Sequence, residues 1–180
     1  GYLLVQEYLA GNAFDTRATG IGTRAFAFRR FNPPNDFRAS GSGLIDWTAT
    51  EVAEDAVRLA FHVASVLGTQ SLAVDVLRRD GKPVINEISY YYEGWAVHEC
   101  PGHWTRRAGA SLEWVEGKMR PEDAIMEDFL AAIEERRTSS APLWAGQLRG
   151  SPSQPLDCEV QRLARTPGTA ESAADQIARS

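Results

Sequence analysis

The chain has 180 residues, 43% of them hydrophobic and 24% charged, which is enough ordinary globular material to bury a core and excludes a disordered or fibrous protein. Its formal net charge of −5 argues against a surface that holds nucleic acid by neutralising phosphates. Cys100 and Cys158 share no sequence context, so a reducing, cytoplasmic setting without a disulfide framework is the simplest reading, and no apolar run reaches the length of a membrane span.

The chain lacks an initiator Met and opens directly in the apolar stretch Gly1 to Val5, which suggests a missing upstream segment. Tyr2 to Leu9 reads as a strand that ends at the turn signal Ala10-Gly11-Asn12. Strands follow over Asp15 to Ile21 and Arg24 to Phe31, joined by Gly22-Thr23, and the tight spacing makes all three antiparallel neighbours. In the second, Ala25, Ala27 and Arg29 alternate with Phe26, Phe28 and Arg30. Asp36 to Gly43 has no regular period and reads as a functional loop or flap. Thr48-Ala49-Thr50-Glu51 fits a capping box before a helix marked by Val52, Ala56, Leu59, Ala60, Val63 and Leu67, with Gly68 at its C-cap. Gln70 to Leu77 and Pro83 to Ser89 form the clearest hairpin. Residues 90 to 117 are aromatic and irregular, and a second helix starts at Pro121 and ends near Arg137. From Thr138 on, Ser, Pro and Gly accumulate, so the expected domain is 1–137 and 138–180 is a low-order tail. Together these elements predict an α+β fold, a mainly antiparallel sheet with helices packed on one face.

The hairpin carries carboxylates where apolar residues belong, Asp75 on its first strand and Glu87 on its second. A two-residue Asp80-Gly81 turn would set Asp75 opposite Asn86 and send Glu87 to the other side. A three-residue loop with Gly81 in the left-handed position sets Glu87 opposite Ala73 and gives Asp75, Glu87 and Ser89 a common face. The longer loop is favoured because it uses Gly81 where a positive φ is needed. Hard oxygen ligands without His or Cys suit Mg²⁺ or Mn²⁺ completed by a substrate phosphate. A salt bridge, to Arg38 or Lys82, is the competing reading.

In their order and spacing, these residues resemble the C-terminal lobe of the ATP-grasp superfamily, in the branch of the ribosomal-protein glutamate ligases, over about residues 2 to 104. The resemblance implies that Gln6, Glu7, Tyr8 and Leu9 form the hinge that meets adenine, and that Asp15 holds the ribose. It implies that Arg38, with Arg17, approaches the phosphates, and that Asp75, Glu87 and Ser89 bind Mg²⁺ or Mn²⁺, Ser89 standing where the family has Asn. ATP, a small-molecule or peptide carboxylate and an amine would be the reactants of a carboxylate–amine ligase working through an acyl-phosphate. The family sets an N-terminal domain and phosphate-binding lysines ahead of the hinge strand, whereas Lys82 and Lys118 are the only lysines here. Neither nucleic acid nor membrane is expected as a partner, and a homo-oligomer is compatible with the sequence.

Two other readings stand beside this one. The chain is alternatively a truncated or degenerate module of the same kind, binding nucleotide or a partner without catalysis. His98-Glu99-Cys100-Pro101-Gly102-His103 gathers three candidate zinc ligands, but within six residues and without a CxxC partner.

Overall fold

A computed structural model describes Leu3 and residues 5–138 of the chain. Alternating side chains make β1 (Phe14–Ile21) and β2 (Arg24–Phe31) a hairpin around Gly22, whose φ of 57° opens the tight turn. A short β3 (Ile45–Asp46) leans on the far end of β2, and α1 (Glu54–Leu67) then leads into the hairpin β4 (Ser71–Arg79) and β5 (Lys82–Ser89). One turn of helix, α2 (Gly94–His98), precedes β6 (Gly102–Arg106) and β7 (Leu112–Glu116), and α3 (Pro121–Thr138) closes the described chain. All pairings are antiparallel in a seven-stranded sheet of order β5-β4-β1-β2-β6-β7, with β3 also paired to β2.

The fold is thus α+β around a mainly antiparallel sheet. The helices, expected on one face, divide between both. Ala56, Val57, Ala60 and Phe61 of α1 pack on Ala18, Ala25, Ala27, Leu72 and Val74. On the opposite face Ile21, Phe26 and Phe28 meet Ala96, Val97 and Cys100 around α2, together with Ala124 at the start of α3. Strict alternation in β2 produces this split, since its small alanines face the long helix and its phenylalanines the short one.

Several local expectations are corrected. The described residues of the Tyr2–Leu9 segment are not a strand; they are largely exposed and join no hydrogen-bonded ladder. Asn12 moors them, donating from Nδ2 to the Leu9 and Arg78 carbonyls and accepting the Arg78 N–H at 2.8 Å. The capping box does not form. Thr48 to Glu51 becomes a 3-10 turn with no side-chain cap, because Glu51 turns outward to Arg29 at 3.0 Å. The α-helix instead starts after Ala53, with Glu54 and Asp55 favouring its positive end, and stops at Gly68, whose φ of 63° is the left-handed cap expected. The irregular region 90–117 holds the β6–β7 pair, where Gly102 admits β7 so closely that a Cβ would lie 2.3 Å from the Val115 carbonyl oxygen. The low-order tail falls, apart from Thr138, outside the described residues. No described helix is long and apolar enough to cross a membrane.

Candidate functional site

The β4–β5 hairpin decides where its acids point. Its turn is the two-residue form: Arg79 pairs with Lys82, and Asp80 and Gly81 both take positive φ, at 52° and 78°. That register runs on to Val76 opposite Ile85, and the favoured three-residue loop is therefore corrected. A bulge between Asp75 and Val76 then leaves Asn86 unpaired, setting Asp75 directly opposite Glu87 and Ala73 opposite Ser89. Asp75, Glu87 and Ser89 consequently share one side of the hairpin, reached through a bulge and not through a longer loop.

Asp75 is 2% exposed and does not point into solvent. On the neighbouring strand Arg17 lies directly opposite, and its guanidinium donates from Nε to Oδ1 at 2.7 Å and from Nη2 to Oδ2 at 2.8 Å. One strand further, Arg30 of β2 reaches diagonally to the same Oδ2 at 2.7 Å. Arg30 also grips Asp15, its direct partner across β1–β2, with contacts of 2.8 and 2.5 Å. Buried Asp15, Arg30 and Asp75 and half-buried Arg17 thus form a charge-balanced quartet over three adjacent strands, on the face away from α1. The salt-bridge reading holds for Asp75, with Arg17 and Arg30 as partners in place of Arg38 or Lys82. Burial raises the Asp15 carboxyl above its usual value against the pull of Arg30. Burial alone would favour a neutral Arg30, but the two carboxylates outweigh it and keep the guanidinium charged.

Above the quartet lies a cleft of about 570 Å³, within the size range of small-molecule sites. Gln6 to Leu9 form one wall, Phe37 to Ser40 another, and Asp15, Arg30, Asp75 and Glu87 the floor. A second recess of about 480 Å³ continues past Glu87 to Ser89, Tyr91, Tyr92 and Trp95, with Arg17 beneath and Gly41 to Gly43 over it. The Ala39–Ser40 flap, Arg30 and Glu87 border both. Sequence positions as remote as Gln6, Arg38 and Glu87 therefore meet in one groove.

Their individual states differ. Gln6, Glu7 and Tyr8 are exposed, Glu7 held by Arg79 at 2.5 Å and the Tyr8 ring edge-on to Phe37. Arg38 lies on the rim with its guanidinium on Asp36, whose carboxyl it holds down to about 2. Glu87 is exposed and forms no ion pair among the described residues. Ser89 is engaged locally, donating to the Tyr91 carbonyl and accepting its N–H.

Arg30 joins the site although its sequence pattern marks it only as one of the alternating residues of the second strand. Its signal was present: a two-residue turn at Gly22-Thr23 fixes Arg30 opposite Asp15, and alternation puts it in line with the buried Phe26 and Phe28. Asn12, part of a turn signal, and Asn86, inside the second hairpin strand, also border the cleft.

Whether these groups suit a divalent cation follows from the donors left over. Among the described residues, no group of three or more His, Cys, Asp or Glu side chains is placed to hold a metal by protein ligands alone. Glu87 is unpaired, and Asp75 Oδ1 carries one contact where Oδ2 carries two, so one of its lone pairs is uncommitted. That set fits Mg²⁺ in its usual manner, with one or two carboxylates and the remainder of the shell from water and phosphate. Ser89 donates to the Tyr91 carbonyl and accepts one N–H, which leaves its oxygen one further lone pair.

No family model matches the chain, and no curated protein is similar to it.

The zinc candidates form no metal-holding group among the described residues. Cys100 is buried in the core, its thiol against the Ala27 carbonyl and pushed up to about 12 by burial. His103 packs on Phe26, and burial together with the Arg24 charge lowers its pKa. A protonated, buried thiol is inert. The peptide containing Cys100 should therefore resist alkylation at pH 8 in the native chain and react within minutes in denaturant, as read by mass spectrometry; fast native labelling of Cys100 would show this core face to be open.

Proposed function

We propose that the chain is the nucleotide-binding lobe of an ATP- and Mg²⁺-dependent carboxylate–amine ligase of the ATP-grasp kind, working in the cytoplasm. The observation that carries this reading is the convergence of separate segments on one groove: Gln6–Leu9, Asp15, the Arg38 flap, Asp75 and Glu87. Nothing in local sequence obliges stretches about 80 residues apart to share a floor and walls. Gln6 to Tyr8 make no backbone hydrogen bond among the described residues, so their amides and carbonyls are available to the edge of a base. Leu9, Leu77 and Phe37 supply apolar surface for its faces.

The phosphates would lie toward the quartet and the flap. Arg17 is locked by Asp75 in a fixed fork, a preorganised positive group beneath the second recess. Arg38, on the exposed rim, needs only to leave Asp36 to add a second fork from above. Glu87 and the free lone pair of Asp75 would hold Mg²⁺, which offsets charge on the transferred phosphoryl group. In the reaction a substrate carboxylate oxygen attacks the γ-phosphorus and ADP departs. The amine nitrogen then attacks the acyl carbon, loses a proton and expels phosphate. The recess lined by Tyr91, Tyr92 and Trp95 is the place for that acceptor.

A second reading is favoured by the engagement of Asp75 with two arginines: a module that binds nucleotide without turnover. Phosphate release from Mg-ATP, assayed with mixtures of carboxylates and amines, separates the two. Release that requires both an acid and an amine supports the ligase; nucleotide binding without any release assigns the chain to the non-catalytic module.

A further inference from the structure

α3 buries only Pro121 and Ala124, and its second half stands apart from the sheet. Met126, Phe129, Leu130 and Ile133 are 51%, 54%, 58% and 38% exposed. At 3.6 residues per turn these four fall within about 100° of arc, a continuous apolar stripe. Isolated exposed apolar residues need no explanation, but a stripe of four on one helix without a partner among the described residues does.

The charges at the ends of the stripe identify its occupant. Glu122 lies on the same arc one turn before Met126, and Arg137 on the same arc one turn after Ile133. Glu122 forms no ion pair among the described residues. Among the described residues Arg137 meets only Glu134, at 3.0 Å and with both side chains more than half exposed, a contact of little worth. The stripe is therefore acidic at its start, apolar in its middle and basic at its end. It is complementary to itself when run in the opposite direction: about a point between Phe129 and Leu130, Met126 maps onto Ile133 and Glu122 onto Arg137. A parallel arrangement would set Glu122 against Glu122 and Arg137 against Arg137, which disfavours it.

We propose that this stripe is the contact through which two copies of the chain associate, α3 packing against α3 in an antiparallel, two-fold arrangement with reciprocal Glu122–Arg137 pairs at its ends. Such an interface is isologous, each copy offering the same patch. One helix pair is small for a stable assembly, so affinity falls in the micromolar range and weakens in salt. The proposal does not depend on the function of the groove, which none of these residues lines.

Sedimentation velocity on the full chain, over about 1 to 200 μM, tests it directly. A monomer–dimer equilibrium is expected, with a dissociation constant near 10 μM by order of magnitude. Leu130→Lys should weaken it about tenfold or more, as expected for a residue at the interface centre. Glu122→Arg and Arg137→Glu should each weaken it several-fold, and the double reversal should recover most of that loss. All three positions are exposed, so circular dichroism should show an unchanged fold. A monomer at every concentration, a dimer indifferent to Leu130→Lys, or a double reversal no better than the single ones would overturn the assignment.

Discussion

Arg30→Met should lower the stability of the protein by about 3–5 kcal/mol, the usual cost of leaving buried charges without their partner. Arg30 binds both oxygens of Asp15 and one of Asp75, and the first acid is 5% and the second 2% exposed. Asp75 would keep Arg17, but Asp15 would keep no side-chain hydrogen-bond donor among the described residues. Set against a typical total of about 5–15 kcal/mol, the loss is a large share of the fold. Urea denaturation should show it as a lower midpoint with an unchanged slope. The deficit should also depend on pH. Burial already raises Asp15 above 3.8, and removing the guanidinium raises it further. A carboxyl with a raised folded pKa contributes its full stability only below the unfolded value and loses it as pH rises through the folded one. The gap between variant and native protein should therefore narrow as pH falls from 7 toward 4. Asp15→Asn, which keeps the neutral form that burial favours, should cost clearly less than Arg30→Met. Equal costs at all pH values would mean that the quartet is not energetically linked.

Glu87→Gln should behave in the opposite manner, harmless to the fold and severe for binding. The side chain is exposed and unpaired among the described residues, so its stability effect should stay within about 0.5 kcal/mol. As the one uncommitted carboxylate on the groove floor it should dominate the cation dependence of nucleotide affinity, with a loss of about 100-fold in the presence of Mg²⁺. Asp75→Asn would lower affinity too, but it disturbs the quartet and confounds binding with folding. Only Glu87 isolates the metal claim. Loss of affinity equal with and without Mg²⁺ would show Glu87 to be a general contact and not a cation ligand.

The parts of this protein that follow from alternation and tight turns were readable from the residues. β1 and β2 are bounded by Gly22-Thr23 and β2 alternates Ala with Phe, so both strands and their pairing could be drawn in advance. The Asp75–Glu87 face was reached by the wrong route. A positive φ at Gly81 alone favours the longer loop, whereas Asp80 also enters the left-handed region and shortens the turn, and the bulge at Asn86 then restores the face. Long-range competition was not readable. Glu51 prefers Arg29 to its own capping box, and Asp75 meets two arginines from other strands whose register depends on the whole sheet. β6 and β7 are five residues each, rich in Trp, charge and His, and their pairing rests on close approach at Gly102 that no local pattern announces. The N-terminal segment has strand composition but no neighbouring ladder, and composition alone does not supply one.

The central claim is that the groove floored by Asp15, Arg30, Asp75 and Glu87 holds Mg-nucleotide. Isothermal titration of ATP into the chain, with Mg²⁺ and with EDTA, measures it most directly. Saturable one-site binding that strengthens at least tenfold with Mg²⁺, and loses that gain in Glu87→Gln, is the predicted result. A folded chain that takes up no ATP with Mg²⁺ present would contradict it.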